Sequence, residues 1–194
     1  MGIVKNIVAL LSTIVLVACT QTFVVDKPIN PMPEPNITLY RVGDYYNENG
    51  KEGVVFEISD FGKHGKIVSM KQSRALQWSS DSAEQDRSIG ADSSADGMYN
   101  MMVVKDIPDW DSTYPVFKWC ADFGEEWYLP SRFELEAMYA NKEELNPHLT
   151  DKIEGSYWSS TENSSGVWIV YMDNGDLQLY HKSYHNTARA VTNF

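Results

Sequence analysis

The chain predicts an α+β domain. Strand-like runs lie toward both ends, helical patterns occupy the middle, and a hairpin signature sits near the C-terminus. Strands, then helices, then strands suit a mixed or antiparallel sheet with two or more helices to one side, rather than alternating βαβ units. No internal repeat is visible. The expected divisions are a leader at residues 1–18, a tether at 19–36 and a single domain at 37–194.

The leader comes first. Lys5 supplies a positive n-region, residues 7–17 are almost wholly apolar, and Leu16-Val17-Ala18-Cys19 has the form of a bacterial lipobox. The apolar run is too short for a membrane span. This pattern predicts cleavage before Cys19, lipidation of its thiol, and anchoring to the bacterial cell envelope at the outer membrane. The next stretch carries Pro28, Pro31, Pro33 and Pro35 without apolar periodicity, as an extended spacer does. The 16 basic and 27 acidic residues give a formal charge of -11, and loss of Lys5 makes it more negative. Such a surface repels polyanions, so nucleic acid is excluded as a partner. With Cys19 lipidated, Cys120 has no intramolecular partner. Stability must come from the core, for which six Trp, eleven Tyr and seven Phe supply material.

Within the domain, residues 53–58 and 66–70 read as strands joined by a Gly-punctuated hairpin connection at 60–65. Residues 80–97 read as a long surface loop and 98–106 as helix. Residues 113–123 fit a helix with Pro115 in its first turn and Gly124 at its end. The clearest helix starts at Ser131, where Ser131-Arg132-Phe133-Glu134 is a capping box and Leu135, Met138 and Tyr139 share a face. A short helix follows at 142–145, then strands around Trp158 and at 188–192. Asn174-Gly175 predicts a two-residue type I′ hairpin turn that sets Asp173 opposite Asp176 and Val170 opposite Leu179. Alternation then gives one face of Trp168, Val170, Met172, Leu177 and Leu179 for the core. The other face, with Ile169, Tyr171, Asp173, Asp176, Gln178 and Tyr180, would point to solvent. Trp78, Trp119, Trp127, Trp158 and Trp168 are expected in the core.

Several blocks occur in a fixed order: Gly43-Asp44-Tyr45-Tyr46, Gly53-Val54-Val55-Phe56, His64-Gly65-Lys66-Ile67-Val68-Ser69, Trp127-Tyr128-Leu129-Pro130-Ser131, Tyr157-Trp158-Ser159-Ser160-Thr161-Glu162 and Arg189-Ala190-Val191. Together they resemble a large family of bacterial envelope lipoproteins of unknown function with a C-type-lectin-like domain of the formylglycine-generating-enzyme type. The resemblance covers about residues 40–194. It implies adjacent N- and C-terminal strands and long loops that present a binding surface. In some diversified relatives of this fold, the C-terminal hairpin and following loops form the variable ligand-binding face.

Chemical alternatives are thinner. The related formylglycine-generating enzymes use cysteines for copper-dependent oxidation, and here Cys120 stands alone, so it reads as buried and inert and no cofactor is expected. His181 and His185 are four apart but lie at a strand end and in a loop, and Asp173-Asn174-Gly175-Asp176 lacks the ligand ladder of a calcium loop, so no metal is expected. Ser159, Ser160 and Thr161 lack a nucleophile elbow and suit backbone satisfaction in a strand. Arg189 reads as a hydrogen-bond donor to loop carbonyls. The expectation is therefore a non-catalytic envelope protein that binds a protein or glycan at the cell surface. Its contact set would be Ile169, Tyr171, Asp173, Gln178, Tyr180, Tyr184 and His185, a mixture typical of adaptable recognition surfaces. An enzyme derived from the same fold, or a structural subunit of a surface assembly, are the alternatives.

Overall fold

A computed structural model describes residues 38–194 apart from Ser165. The expected leader, Cys19 and the tether at 19–36 lie outside the described residues. In chain order the elements are β1 Tyr45–Glu48, β2 Lys51–Ser59, β3 His64–Ser69 and β4 Leu76–Gln77, then α1 Ser82–Gln85, α2 Gly97–Lys105, α3 Trp110–Thr113, α4 Pro115–Ala121, α5 Arg132–Ala140 and α6 Lys142–Leu145. The chain then returns to β5 Ser156–Asn163, β6 Gly166–Tyr171, β7 Leu177–Tyr180, β8 His185–Asn186 and β9 Val191–Asn193. Among the described residues the strands form three antiparallel sheets, ordered β1-β2-β3-β9, β4-β8 and β5-β6-β7. The predicted α+β class is the observed one. The first and last strands share a sheet but sit at its opposite edges, with β2 and β3 between them, so they are not adjacent as the resemblance implied.

Local chemistry explains the best-defined elements. The Ser131 hydroxyl accepts from the Glu134 amide, and the Glu134 carboxylate accepts from the Ser131 amide at 2.7 Å, so both arms of the capping box are made. Leu135 and Met138 turn inward from that start. The short helix at 142–145 forms as expected. The helix predicted at 113–123 forms as α4, which Pro115 opens at its first position, where its missing amide is not needed; the single-turn α3 precedes it. The expected loop at 80–97 contains the single-turn helix α1, capped by the Asp81 side chain on the Ala83 amide.

The two-residue hairpin turn lies at Asn49-Gly50, not at Asn174-Gly175. Glu48 pairs with Lys51, and Asn49 and Gly50 both have positive φ, 55° and 75°, as a type I′ turn requires. At the second site only Gly175 has positive φ. Strand pairing sets Trp168 opposite Leu179 and Val170 opposite Leu177, two residues away from the expected register, and the Tyr171 amide bonds Asp176 O. The turn therefore holds four residues, 172–175. Tertiary contacts impose this: the Met172 amide donates to Gly155 O, and Lys142 Nζ donates to Met172 O at 2.6 Å. A shift of two preserves the alternation of faces.

Burial of those faces differs from expectation. Both faces of β6 are covered by packing, so Ile169 is fully buried rather than outward-facing. Its cross-strand neighbour Trp158 is buried too and donates from its indole to Leu76 O. On the other face Val170 and Met172 are buried, whereas Trp168 is half-buried and Leu179 is 38% exposed. Trp78, Trp127 and Trp158 belong to the core as expected; Trp119 is half-buried against it. Gly175 packs so closely on α5 that an added Cβ would lie 2.5 Å from the Tyr139 ring. Gly175→Ala combines that clash with a strained φ, and urea denaturation is expected to show a loss of about 1–3 kcal/mol.

Candidate functional site

Directly after β7 the chain places a cation in the interior. Lys182 is 2% exposed, and its Nζ lies 2.7 Å from Glu162 Oε2 at the end of β5. Nζ also donates to Arg87 O at 2.6 Å and sits 4.6 Å from the centre of the Trp78 ring. Glu162 completes the arrangement through Oε1, which accepts from the amides of Ile89, Gly90 and Ala91 and from Ser88 Oγ. A buried carboxylate needs this density of donors, because burial without them would cost several kcal/mol. The loop at 84–91 is thus pinned to the base of the hairpin. A polar cavity of about 60 Å³ lies beside it, lined by Arg87, Ser88, His181 and Lys182 among others. That is room for one or two waters, not for a substrate.

The hydroxyl residues next to Glu162 are consumed by structure. Ser159 Oγ donates to Trp168 O, Thr161 Oγ1 donates to Ser93 O, and Ser160 Oγ accepts from Asn100. Arg189, 1% exposed, donates to the carbonyls of Ser69, Met70 and Asp151, the role its sequence context suggested. Cys120 is fully buried, and desolvation pushes its thiol well above the usual range.

The surface beyond this clamp is aromatic. Tyr171 and Tyr180 are half-buried with their hydroxyls 2.6 Å apart, and that hydrogen bond raises Tyr171 above the ordinary phenol range. Tyr180 stands edge-on to Trp158 beneath it and to Tyr184 beside it, with centroids 6.2 and 5.6 Å away. Tyr184 is 56% exposed, and His181 packs against it while bonding Ser183 Oγ through Nδ1 and Asp86 through Nε2. Gln178, exposed, shares this face by register, and His185 is exposed on β8. The expected contact residues Tyr171, Gln178, Tyr180, Tyr184 and His185 are thus accessible in whole or part. Asp173 is exposed but lies in the turn, at the far end of the hairpin from Tyr184. Ile169 leaves the set because it is fully buried. Sequence reasoning missed the Glu162–Lys182 pair; the one trace of it was a lysine and a glutamate standing among otherwise apolar and hydroxylic landmarks.

Fold and surface together define a single α+β domain that offers a tyrosine-lined face on a rigidly clamped hairpin. The chain belongs to the Lcl C-terminal domain family, whose model matches residues 68–192. That span starts within β3 and takes in the clamp, the hairpin and the tyrosine row. Among curated proteins none matches this chain.

Proposed function

We propose that this is a non-catalytic binding protein with a C-type-lectin-like domain, tethered to the outer membrane through a lipid on Cys19. Its ligand is a surface protein, met by Tyr171, Tyr180 and Tyr184 with Gln178 and His185 at the rim. The observation that carries the reading is the continuous row Tyr171–Tyr180–Tyr184, whose rings are held by Trp158 and by each other yet remain open on one side. Tyrosines packed edge-on and hydroxyl to hydroxyl lose little conformational freedom on binding and offer both apolar area and hydroxyls. A protein ligand is favoured over a glycan because the row is a surface, and the adjoining 60 Å³ cavity is too small to seat a sugar ring.

The test is to probe arrays of envelope proteins and of glycans with the full-length protein, alongside ester, amide and thiol-oxidation assays with and without copper. Saturable binding to a protein without turnover is the expected result. Turnover that survives purification would move the chain to the enzymes of this fold and overturn the reading.

A further inference from the structure

We propose that the tip of the β2–β3 hairpin, with Phe61 at its apex, rests in the surface of the lipid bilayer that anchors this chain. The contact rests on the lipid at Cys19 proposed above. It does not depend on the tyrosine row, which belongs to a different sheet.

Phe61 is 91% exposed, more than any other large hydrophobic residue among those described. Its backbone is also unfavourable. Asp60 and Phe61 take φ of 45° and 57°, and Gly62 takes 89°. Left-handed backbone is uncommon outside glycine, and a bulky aromatic residue is a clear outlier there. Asn or Gly would make the same turn at lower cost. Phe61 therefore strains the fold and covers almost none of it. A strained ring that faces outward is matched by a surface outside the domain.

Its surroundings select a bilayer as that surface. The first described residues join the domain at this turn: the Tyr40 amide donates to Gly62 O at 2.8 Å, and a Cβ added to Gly62 would sit 2.2 Å from Tyr40 O. Leu39, 57% exposed, precedes Tyr40, and Ile58, 42% exposed, pairs with Gly65 at the foot of the turn. Exposed apolar side chains thus collect where the chain from Cys19 enters. Residues 20–37 span no more than roughly 65 Å when drawn out, so the anchor keeps this entry point within reach of the bilayer. Charge agrees with the placement. In a chain of formal charge -11, the tip carries balanced pairs, Asp60 with Lys63 at 3.7 Å and Glu57 with Lys66 at 3.3 Å. It lacks the negative surplus that an anionic membrane would repel. One ring on a narrow turn offers too little area for a stable protein interface. A bilayer accepts an isolated apolar side chain, and the tether supplies the effective concentration that one ring lacks.

Spin labelling of the full-length protein, reconstituted through its lipid into vesicles of phosphatidylethanolamine and phosphatidylglycerol, tests this. Cys19 is blocked by the lipid and Cys120 is fully buried, so a single new thiol takes the nitroxide. His64→Cys places it beside the turn, and Met102→Cys places it on α2, where Met102 is 60% exposed. With Phe61 present, the label at 64 should be at least about threefold less accessible to a water-soluble nickel complex than the label at 102. Phe61→Asn should remove that difference while Tm stays unchanged or rises slightly, because Asn suits the left-handed turn. Equal accessibility of the two labels in the anchored protein overturns the proposal. So does a Tm that falls by several degrees in Phe61→Asn, which would place the ring in the fold. Dipolar broadening between labels at 64 that grows with protein density would assign the tip to a second copy of this chain, and overturns it too. Mass spectrometry of Cys19 distinguishes two failures: an unlipidated chain removes the anchor itself, whereas a lipidated chain with an aqueous label at 64 removes only the membrane contact.

Discussion

Glu162→Gln is expected to destabilise the domain by about 3–5 kcal/mol, the cost of leaving one partner of a buried ion pair unmatched. Gln keeps the shape of the side chain and an oxygen for the amides of Ile89, Gly90 and Ala91, so the change isolates the charge. What remains is the Lys182 ammonium, 2% exposed, with Arg87 O, a longer bond to Glu84 O and the Trp78 ring as its support. For a domain of this size each kcal/mol lowers Tm by about 2–4 °C, so the transition should fall by about 10 °C. The double substitution Glu162→Gln with Lys182→Met removes the stranded charge and should recover part of the loss, giving a coupling energy well above 1 kcal/mol in a double-mutant cycle. Amide exchange at residues 89–91 should rise before global unfolding, because these amides lose the carboxylate that gathers them. A loss below 1 kcal/mol would mean that water reaches the pair.

Arg189→Met is the second large effect, expected at about 2–4 kcal/mol. The guanidinium bridges carbonyls from two separate segments, Ser69 and Met70 at the end of β3 and Asp151 before β5. Among the described residues no carboxylate balances it within hydrogen-bonding distance, so removing the charge also relieves a desolvation cost. The net loss arises from the carbonyls of Ser69 and Asp151, which lose a charged donor, while Met70 O keeps the Asp151 amide. Arg189→Lys should restore part of the stability, since an ammonium can reach one segment but cannot span both with a planar fork. Chemical denaturation of the three proteins side by side reads this ranking directly, and equal stability of the Met and Lys variants would contradict it.

Local signals carried the sequence reading furthest. The capping box at Ser131, the short helix at 142–145 and the donor role of Arg189 depend on neighbouring residues or on a residue type with one plausible use, and each is present in the structure. The hairpin was legible in its parity and not in its register. Asn174-Gly175 resembles a two-residue turn, but Gly155 and Lys142 hold Met172 in the turn, and those contacts come from elsewhere in the chain. Ile169 failed for a related reason. Alternation implies a wet face only for a sheet with one covered side, and the sequence of β6 does not announce that Trp158 and β4 cover the other. Lys182 and Glu162 lie twenty positions apart and look like ordinary surface charges. Their pairing depends on β5 and the chain after β7 converging, which is a property of topology. The same convergence sets Tyr184 beside Tyr180 and so assembles the face to which function is assigned.

That assignment turns on Tyr184, the most exposed member of the row and the one least involved in packing. The decisive measurement is the dissociation constant of Tyr184→Ala for the tightest protein ligand recovered on the array, taken together with its melting temperature. The account predicts binding at least tenfold weaker, about 1.4 kcal/mol, with Tm unchanged to within a degree or two. Undiminished affinity in a protein of unchanged stability would contradict it.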